Sequence, residues 1–401
     1  MTLHTEPAAR GVLFVDVPAS AAGPWPRVSV VICTLDEHEA IGGVLDDVVA
    51  DLAHIPHEII VVDDSADDRT AQVVRSRAWS NPDIRLIRRE GAGGLASAAI
   101  AGWDAARGEA LAIMDGDGQH DPRLIGRMVD RMRSAPVDVA VASRYLGGGG
   151  SGLAGYRHWL SRAGVRVSGL LLGLRLADPM SGCFVMTRDW YESVRPRLSG
   201  LGFKILIDVV ASDRRRPRLL QIPTALRPRA GGVSKLDLRV VFDLLALLVE
   251  KRTGGALPAR MTQFLFVGLT GLVVHLMVLA ASRELGAPFW LGQSGAILMA
   301  MSWNFMLNNG LTFRDQRLRG GAVWQGLLSF YVACLGGAAV SEVAGAALHG
   351  LGVPWFGAGT AGALLGAFWN YAAVRRLTWR PLSAAQRARA LIASVAGRAA
   401  R

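Results

Sequence analysis

The stretch LAIMDGDGQHDP, residues 111–122, joins a short apolar run to oxygen-bearing side chains at alternate positions. The apolar run has the character of a buried strand, and Asp115, Asp117 and Gln119 follow where that strand would end. Because alternate side chains of an extended segment point the same way, all of them can face one ion. Carboxylate and amide oxygens are the ligands that Mg²⁺ and Mn²⁺ prefer. The stretch therefore predicts a divalent-metal site at a strand end.

Two other interpretations of this stretch concern its acids. A calcium-binding EF-hand loop requires Gly at its sixth position and Glu at its twelfth. Counted from Asp115, those positions hold His120 and Gly126, which excludes such a loop. A structural acid cluster, with the carboxylates acting as caps or lying in solvated turns, remains the plainer alternative. A lone Asp-x-Asp is a weak signal, and its place at the end of a strand in a parallel sheet strengthens it.

Strands and helices alternate on both sides of this stretch. Further strands are predicted within the segments RVSVVICTLDE (27–37), HEIIVVDDSADDRT (57–70), DIRLIRRE (83–90) and VDVAVASRY (137–145). We therefore expect an α/β domain with a doubly wound, mostly parallel sheet, which binds ligands beyond the carboxyl ends of its strands. Several acids converge at those ends: Glu37, Asp63, Asp64, Asp115 and Asp117.

A dinucleotide-binding fold is a competing interpretation. GAGGLA, residues 91–96, has the Gly-x-Gly-x-x-Ala form and lies between a predicted strand and a predicted helix. It follows the third strand rather than the first, and no acid at the end of the next strand is suited to a ribose. GGGGSG, residues 147–152, is a flexible glycine run without that context. A nicotinamide enzyme is therefore disfavoured.

The last two fifths of the chain differ from the rest. Segments 261–282, 285–313, 320–341 and 343–374 contain no Asp, Glu, Lys or Arg. Because a bilayer core of ~30 Å needs ~20 apolar residues of helix, these segments predict four membrane spans. FLFVGLTGLVV and WNFMLNNGLTF each recur in similar form 66 residues later, as FYVACLGGAAV and WNYAAVRRLTW. Two copies of a two-helix unit, inserted the same way up, are expected.

Basic residues indicate the orientation of these spans. They precede the first span, separate the second from the third, and follow the fourth. By the positive-inside rule, both termini and the soluble half are cytoplasmic. The net charge of +11 suits an anionic membrane surface or an anionic substrate, and no stacking aromatics accompany the basic residues, which disfavours nucleic acid. The three cysteines lack disulfide or ligand spacing, as expected in a reducing cytosol, and we interpret His275 and Glu342 in the spans as structural.

Seven segments carry a resemblance to a known family. The chain resembles polyprenyl-phosphate (dolichyl-phosphate-like) mannose synthases, inverting glycosyltransferases of family 2 with a GT-A fold, through VVICTLDE, EIIVVDDSADDRT, REGAGGLASAAIAG, MDGDGQHDP, VASRYLGGG, LLLGLRLADPMSGCF and ALRPRAGGVSKL. Residues 261–380 resemble the GtrA-like four-helix membrane domain, whose Asn-Phe and Thr-Phe hallmark is similar to WNFMLNNGLTF. The expected domains are therefore a flexible extension (1–26), a GT-A domain (27–235), an amphipathic interface helix and linker (236–260), the GtrA-like domain (261–380) and a basic cytoplasmic tail (381–401). The plainer alternative for the interface helix is a core helix of the soluble domain.

The resemblance implies roles for individual residues. Asp115, Asp117 and Gln119 would hold a Mg²⁺ or Mn²⁺ ion that binds the diphosphate of a sugar nucleotide. Further donor-binding positions would be Thr34, Glu37, Asp63, Asp64, Arg229 and Lys235. The lipid phosphate would be bound by Arg144, Arg157 and Ser161. The residues expected to carry catalysis are Asp115, Asp117, Arg144, Arg157 and Arg229. For each arginine taken singly, a solvated surface charge is the plainer interpretation.

The implied reaction transfers a hexosyl group to polyprenyl phosphate. The donor would be GDP-mannose or, next, UDP-glucose, and the reaction would occur at the cytoplasmic face of a bacterial inner membrane, with homo-oligomerisation left open. Departures from the family pattern include Cys33 and Leu35, where Pro and Tyr are usual, as well as Phe184 and Val233. They leave the sugar and nucleotide undetermined and allow an inactive copy.

Two alternatives belong to other functional classes. A flippase or transporter component for a sugar-linked lipid would use the soluble domain only for binding, and the intact Asp115, Asp117 and Gln119 set speaks against this. A processive polysaccharide synthase would need a Gln-x-x-Arg-Trp motif, which the sequence lacks.

Overall fold

The computed structural model describes residues 12–14, 27–89, 94–146, 176–200, 204–213, 215–227 and 238–379. The chain divides into two compact units, residues 1–259 and 260–401. The strands of the first unit are β1 (Val12–Phe14), β2 (Val28–Thr34), β3 (His57–Asp63), β4 (Ile84–Arg89), β5 (Ala110–Asp115), β6 (Val139–Ser143), β7 (Phe184–Thr187) and β8 (Leu219–Pro223). Its helices are α1 (Ile41–Asp51), α2 (Arg69–Ser80), α3 (Leu95–Ala105), α4 (Arg123–Ser134), α5 (Arg188–Val194), α6 (Ile205–Ala211) and α7 (Leu238–Arg252).

The strands form one eight-stranded sheet in the order β1-β4-β3-β2-β5-β7-β6-β8. The neighbours from β4 through β5 are parallel, which confirms the predicted doubly wound core. The remainder is mixed, because β7 runs antiparallel to β5 and β6, and β1 runs antiparallel to β4. The five predicted strands are present, whereas β1, β7 and β8 were not predicted. These three are short, and β8 is half-buried along most of its length, so none has a strong apolar run or a clear alternation.

Both faces of the sheet are buried, which explains the continuous apolar runs of its central strands. Val30 and Ile32 of β2 pack into a core with α1, α2 and α4. The alternate residues Val31 and Cys33 pack into a second core with α3, α5 and α6. Because helices cover both faces, we expect the ligand-binding groups at the carboxyl ends of the strands.

Helix α7 occupies the segment predicted as an interface helix. Leu244, Leu247 and Leu248 on one face pack with Ile207 of α6, and Met180 packs against the same cluster. This contact agrees with the alternative of a helix packed on the soluble unit. Its role at a membrane interface stays a prediction.

The second unit is helical in its described part. Its long helices are α8 (Ala259–Glu284), α9 (Phe289–Leu307), α10 (Ala322–Gly350) and α11 (Trp355–Leu377), with short turns at Asn308–Thr312 and Arg314–Gln316. Among the described residues, two helices, α8 and α10, are both long and apolar enough to cross a membrane. The four helices coincide with the four predicted spans, while the four-span topology itself stays a prediction.

The sequence offset of 66 residues recurs in the contacts of these helices. A Cβ atom at Gly271 would overlap the side chain of Asn304, and one at Gly337 would overlap that of Asn370. Each pair joins the first helix of a copy to the second. Small residues at such positions let two helices approach closely, as is common in membrane helix packing.

Candidate active site

The carboxyl ends of β2, β3, β5 and β6 lie along one edge of the sheet. β2, β3 and β5 are parallel, and β6 has the same direction because both β5 and β6 run antiparallel to β7. In register, Cys33 of β2 lies beside Asp115 of β5, and Thr34 lies beside Asp63 of β3. The predicted metal-binding and nucleotide-binding strand ends are therefore neighbours.

Asp115 is partly exposed, with 37% of its side chain accessible. Its carboxylate lies directly against Gly182, where a Cβ atom would overlap Asp115 Oδ2. The Nε2 atom of His120 is 3.7 Å from the same oxygen, and the His120 ring is buried. Among the described residues, no arginine or lysine lies within ion-pair distance of Asp115. Asp115 is therefore not paired with a described arginine or lysine at this strand end.

Asp117 and Gln119, which complete the predicted metal-binding triad with Asp115, form a tight turn. Gly118 has a φ of 75°, and the Gln119 backbone N–H donates to Asp117 Oδ1 at 3.1 Å. Gln119 Nε2 donates to the carbonyl of Arg227 at 3.4 Å, and the Arg227 N–H donates to the Gln119 carbonyl at 2.8 Å. Two hydrogen bonds thus join Arg227, in the segment that follows β8, to Gln119 of the triad.

This donor set fits a hard divalent cation held in an open site. Asp115, Asp117 and Gln119 offer oxygen atoms only, as Mg²⁺ and Mn²⁺ prefer. Within the described ranges, no group of three or more His, Cys, Asp and Glu side chains is assembled for a metal. Two carboxylates and one carboxamide would therefore need oxygens from a bound substrate to complete the coordination, as is usual for Mg²⁺ with phosphates.

The acids at the end of β3 are engaged within the protein. Asp63 is fully buried, and its Oδ1 accepts hydrogen bonds from Thr34 Oγ1 at 3.0 Å and from the Ser65 N–H at 3.2 Å. Asp64 binds Arg89 in a fork, with Nε at 2.7 Å and Nη2 at 2.5 Å. These contacts support the strand ends, and the roles of Asp63 and Asp64 towards a nucleotide stay predictions.

The loop after β2 is shaped by the same network. Asp36 adopts a φ of 60°, and its N–H donates to Ser65 Oγ at 2.8 Å. The hydroxyl of Ser65 in turn donates to Asp63 Oδ1. The carbonyl of Glu37 accepts the N–H groups of Ala40 and Ile41 at 3.2 and 3.0 Å, at the start of α1. Hydrogen bonds through the Ser65 hydroxyl therefore connect Asp63 to the predicted nucleotide-binding loop.

Arg144 follows β6 and is paired with a residue that the sequence reasoning missed. Its Nε and Nη2 atoms donate to the two carboxylate oxygens of Asp178 at 2.6 and 2.8 Å. Asp178 is fully buried. Burial tends to lower the pKa of Arg144, but the hydrogen bonds and charge of Asp178 outweigh it and raise that pKa. The available signal was the ADPMSG segment, which contains both Asp178 and Gly182.

Lys204 is a second residue of the site that was not predicted. It immediately precedes α6, and the charges of Arg144, Asp115 and Asp178 all act on its ammonium. Burial, followed by the charge of Arg144, lowers the pKa of Lys204 to about 8. A lysine in an apolar-rich segment gives no sequence signal of this kind, because the three partners are distant in the chain.

Comparisons with known proteins agree with this geometry. Residues 29–195 match the family described as Glycosyl transferase family 2, and residues 263–379 match the GtrA/DPMS transmembrane domain. The dolichol-phosphate mannosyltransferase of Pyrococcus furiosus is 31% identical over 356 residues, which cover 88% of this chain and 99% of that protein. The chain belongs to glycosyltransferase family 2.

Two further relatives of this glycosyltransferase match over shorter lengths. The undecaprenyl-phosphate mannosyltransferase of Micrococcus luteus is 29% identical over 226 residues, 54% of this chain and 90% of that protein. The dodecaprenyl-phosphate galacturonate synthase of Rhizobium johnstonii is 27% identical over 261 residues, 63% of this chain and 75% of that protein. The resemblance seen in the sequence is confirmed, and the first unit is the GT-A-like catalytic domain of a glycosyltransferase.

Four predicted site residues of the glycosyltransferase lie outside the described residues: Arg157, Ser161, Arg229 and Lys235. Arg229 follows Arg227 by two positions, and Arg227 is the residue whose backbone is bonded to Gln119. The last described residue before the predicted phosphate-binding segment, Arg227, is therefore hydrogen-bonded to Gln119, one of the predicted metal ligands.

The cysteines of the catalytic domain take no part in this chemistry. Cys33 and Cys183 are free and buried. Burial, followed by the charge of Asp115, raises the pKa of both thiols above their ordinary range. Because the thiolate is the reactive form, neither is a nucleophile at neutral pH.

Proposed function

We propose that this glycosyltransferase transfers a hexosyl group, mannose foremost and glucose next, from a nucleotide sugar to polyprenyl phosphate. The observation that carries the proposal is similarity to a dolichol-phosphate mannosyltransferase along both units of the chain. The names of the three relatives share a polyprenyl phosphate and differ in the sugar, mannose or galacturonate. The acceptor class is accordingly better supported than the sugar.

Asp115, Asp117 and Gln119 would hold a Mg²⁺ or Mn²⁺ ion beside the diphosphate of the donor. Such an ion supplies Lewis-acid neutralisation of the departing diphosphate. The chain itself fixes the carboxylates: Asp115 is held against Gly182, and Asp117 accepts the Gln119 N–H. We assign Arg229 and Lys235 to the same diphosphate from the family pattern.

The acceptor needs no general base. A phosphate monoester has a second pKa of about 6, so it is mostly dianionic at neutral pH and can attack directly. The demand on the protein is to hold two anions close together. Arg144 uses Nε and one Nη2 hydrogen for Asp178, and its remaining N–H groups are the ones we assign to the lipid phosphate. Direct attack at the anomeric carbon gives inversion.

The membrane domain supports the same proposal. A polyprenyl phosphate resides in the bilayer, so its phosphate must be bound at an interface. We infer four spans with both termini and the catalytic domain in the cytoplasm, from the basic residues that flank α8 to α11.

The test uses the purified full chain in detergent with polyprenyl phosphate, Mg²⁺ or Mn²⁺, and labelled GDP-mannose or UDP-glucose. A labelled lipid should form, and a chelator should abolish it. Determining the anomeric configuration of the product tests inversion. Transfer in detergent, where no bilayer separates two compartments, would exclude the transporter interpretation. Absence of product with every common sugar nucleotide would contradict the proposal.

A further inference from the structure

Two described lysines of the catalytic domain, Lys204 and Lys251, have desolvated ammonium groups. Lys251 has a carboxylate and two hydrogen-bond acceptors within the protein. Lys251, at the end of α7, is 5% exposed, and its Nζ lies 2.5 Å from Asp208 Oδ1. The same Nζ donates to the Arg197 carbonyl and to Ser212 Oγ, each at 2.8 Å. The native fold thus supplies both a counter-ion and hydrogen-bond acceptors for this charge.

Lys204 has a different environment, although it lies only four residues before Asp208. No described carboxylate is within ion-pair distance of its ammonium. The residue keeps part of its surface exposed, yet the ammonium itself is surrounded by protein, and its pKa is lowered to about 8, chiefly by burial. A desolvated charge that no described carboxylate pairs with is typical of functional sites.

The residues that follow Lys204 are packed into the protein. Ile205 and Leu206 are buried in the second core, where α3, α5 and α6 pack on the sheet. Ile207 packs with the leucines of α7, and Met180 packs against that same cluster. Because Met180 lies two residues after Asp178, the start of α6 is fixed beside the segment that holds Arg144.

The charges near Lys204 differ in how far bonded partners offset them. Arg144 and Asp178 form a bidentate pair, so the carboxylate of Asp178 offsets part of the guanidinium charge. Asp115 is a predicted metal ligand, so its charge is committed to the cation. Lys204 is then the described cation near Arg144 whose charge is not offset by a bonded carboxylate.

We propose that Lys204 is a phosphate-binding residue of the active site, with its ammonium pairing with a phosphate group of a bound substrate near Arg144. The inference rests on the proposed function for the identity of the substrates. The donor diphosphate and the acceptor phosphate share the chemistry that Lys204 recognises, and binding measurements distinguish them.

The experiment measures thermal stabilisation of the full chain by four probes in detergent with Mg²⁺. Farnesyl phosphate represents the acceptor, with farnesol as its uncharged control, and GDP represents the donor diphosphate, with guanosine as its control. Lys204→Met should weaken binding of farnesyl phosphate or GDP at least about tenfold, since one charge-assisted contact is lost. Lys204→Arg should restore part of that affinity. A loss confined to farnesyl phosphate assigns Lys204 to the acceptor, and a loss confined to GDP assigns it to the donor.

Lys251→Met is the matched control. It should lower the melting temperature, because Asp208 loses its buried partner, while leaving the affinities for both probes unchanged. Lys204→Met should leave the melting temperature of the unliganded protein unchanged or raise it, because a desolvated charge is removed.

The proposal is overturned if Lys204→Met binds both phosphate probes like the wild type, or if Lys251→Met loses affinity to the same extent. These outcomes are separate from failure of the proposed function. A wild-type protein that binds farnesyl phosphate through Lys204 but transfers no sugar would contradict the proposed reaction alone. Normal transfer with unchanged KM values in Lys204→Met would contradict the role of Lys204 alone.

Discussion

The ends of β3 and β5 are similar in sequence and different in structure. β3 ends in Asp63, which Asp64 follows, and β5 ends in Asp115, with Asp117 two residues later. Asp63 is fully buried among Thr34 and Ser65, and Asp64 is bound by Arg89. Asp115 is partly exposed and has no described arginine or lysine partner.

The difference comes from the neighbouring strands. β4 lies beside β3 and ends in Arg88 and Arg89, which bring positive charge to the acids of β3. The neighbours of β5 are β2, which places Cys33 beside Asp115, and β7, which begins two residues after Gly182. Neither Cys33 nor Gly182 carries a positive charge. An acid at a strand end is therefore available for a ligand only where the adjacent strand does not neutralise it.

Substitution of the β5 acids should have the largest effect. Asp115→Asn and Asp117→Asn should each lower kcat/KM at least about 10³-fold, because the charge that would hold the cation is removed. Melting temperatures should be unchanged or higher. Sugar transfer and thermal unfolding of the same preparations test this, and near wild-type transfer would remove the distinction between the two strand ends.

The matching change at β3 should affect stability instead. Asp64→Asn leaves Arg89, whose side chain is only 10% exposed, without its counter-ion, which should cost about 3 kcal/mol of the free energy of unfolding. The exposed pair Arg77–Asp46 provides the control, and Asp46→Asn should leave the melting temperature nearly unchanged. If Asp64→Asn were as stable as Asp46→Asn, the structural assignment of Asp64 would be wrong.

Gly182→Ala should show whether Gly182 positions the Asp115 carboxylate at the end of β5. The added Cβ would displace the Asp115 carboxylate, so activity should fall about 10- to 100-fold and need a higher Mg²⁺ concentration for half-maximal rate. Gly126→Ala in α4 is the control, because its Cβ would make only ordinary contacts, the nearest at 3.7 Å. It should retain activity and gain slightly in stability. Equal Mg²⁺ dependence in both variants would contradict the positioning of Asp115 by Gly182.

Glu58 of β3 should give the smallest effect, on acid stability. Burial raises its pKa, but hydrogen bonds from Ser29, the Arg107 N–H and Arg85 outweigh burial and bring the pKa below 4.5. A depressed pKa means that Glu58 stabilises the fold above pH 4.5 and that this contribution is lost as the pH falls through the folded-state pKa. The melting-temperature difference between wild type and Glu58→Gln should therefore shrink in acid. A difference independent of pH would contradict this account.

Periodicity and local composition determined much of this protein. The runs ending at Thr34, Asp63 and Asp115 predicted their strands, and the segments without charge predicted the four long helices of the second unit. These features depend on residues close together in the chain, where each apolar run needs only one buried surface. The Asp115, Asp117 and Gln119 triad could be proposed for the same reason, since its spacing is local.

Which of the acids at the strand ends remain available for a ligand depends on contacts between distant parts of the chain. Three features join segments that are far apart in sequence. They are the bidentate pair of Arg144 with Asp178, the contact of Gly182 with Asp115, and the position of Lys204 near Arg144, Asp178 and Asp115. Such contacts depend on the order of strands in the sheet, which placed β4 beside β3 and β7 beside β5. The sequence thus specified the chemical groups, and the order of the strands decided which charges are neutralised and which can meet a substrate.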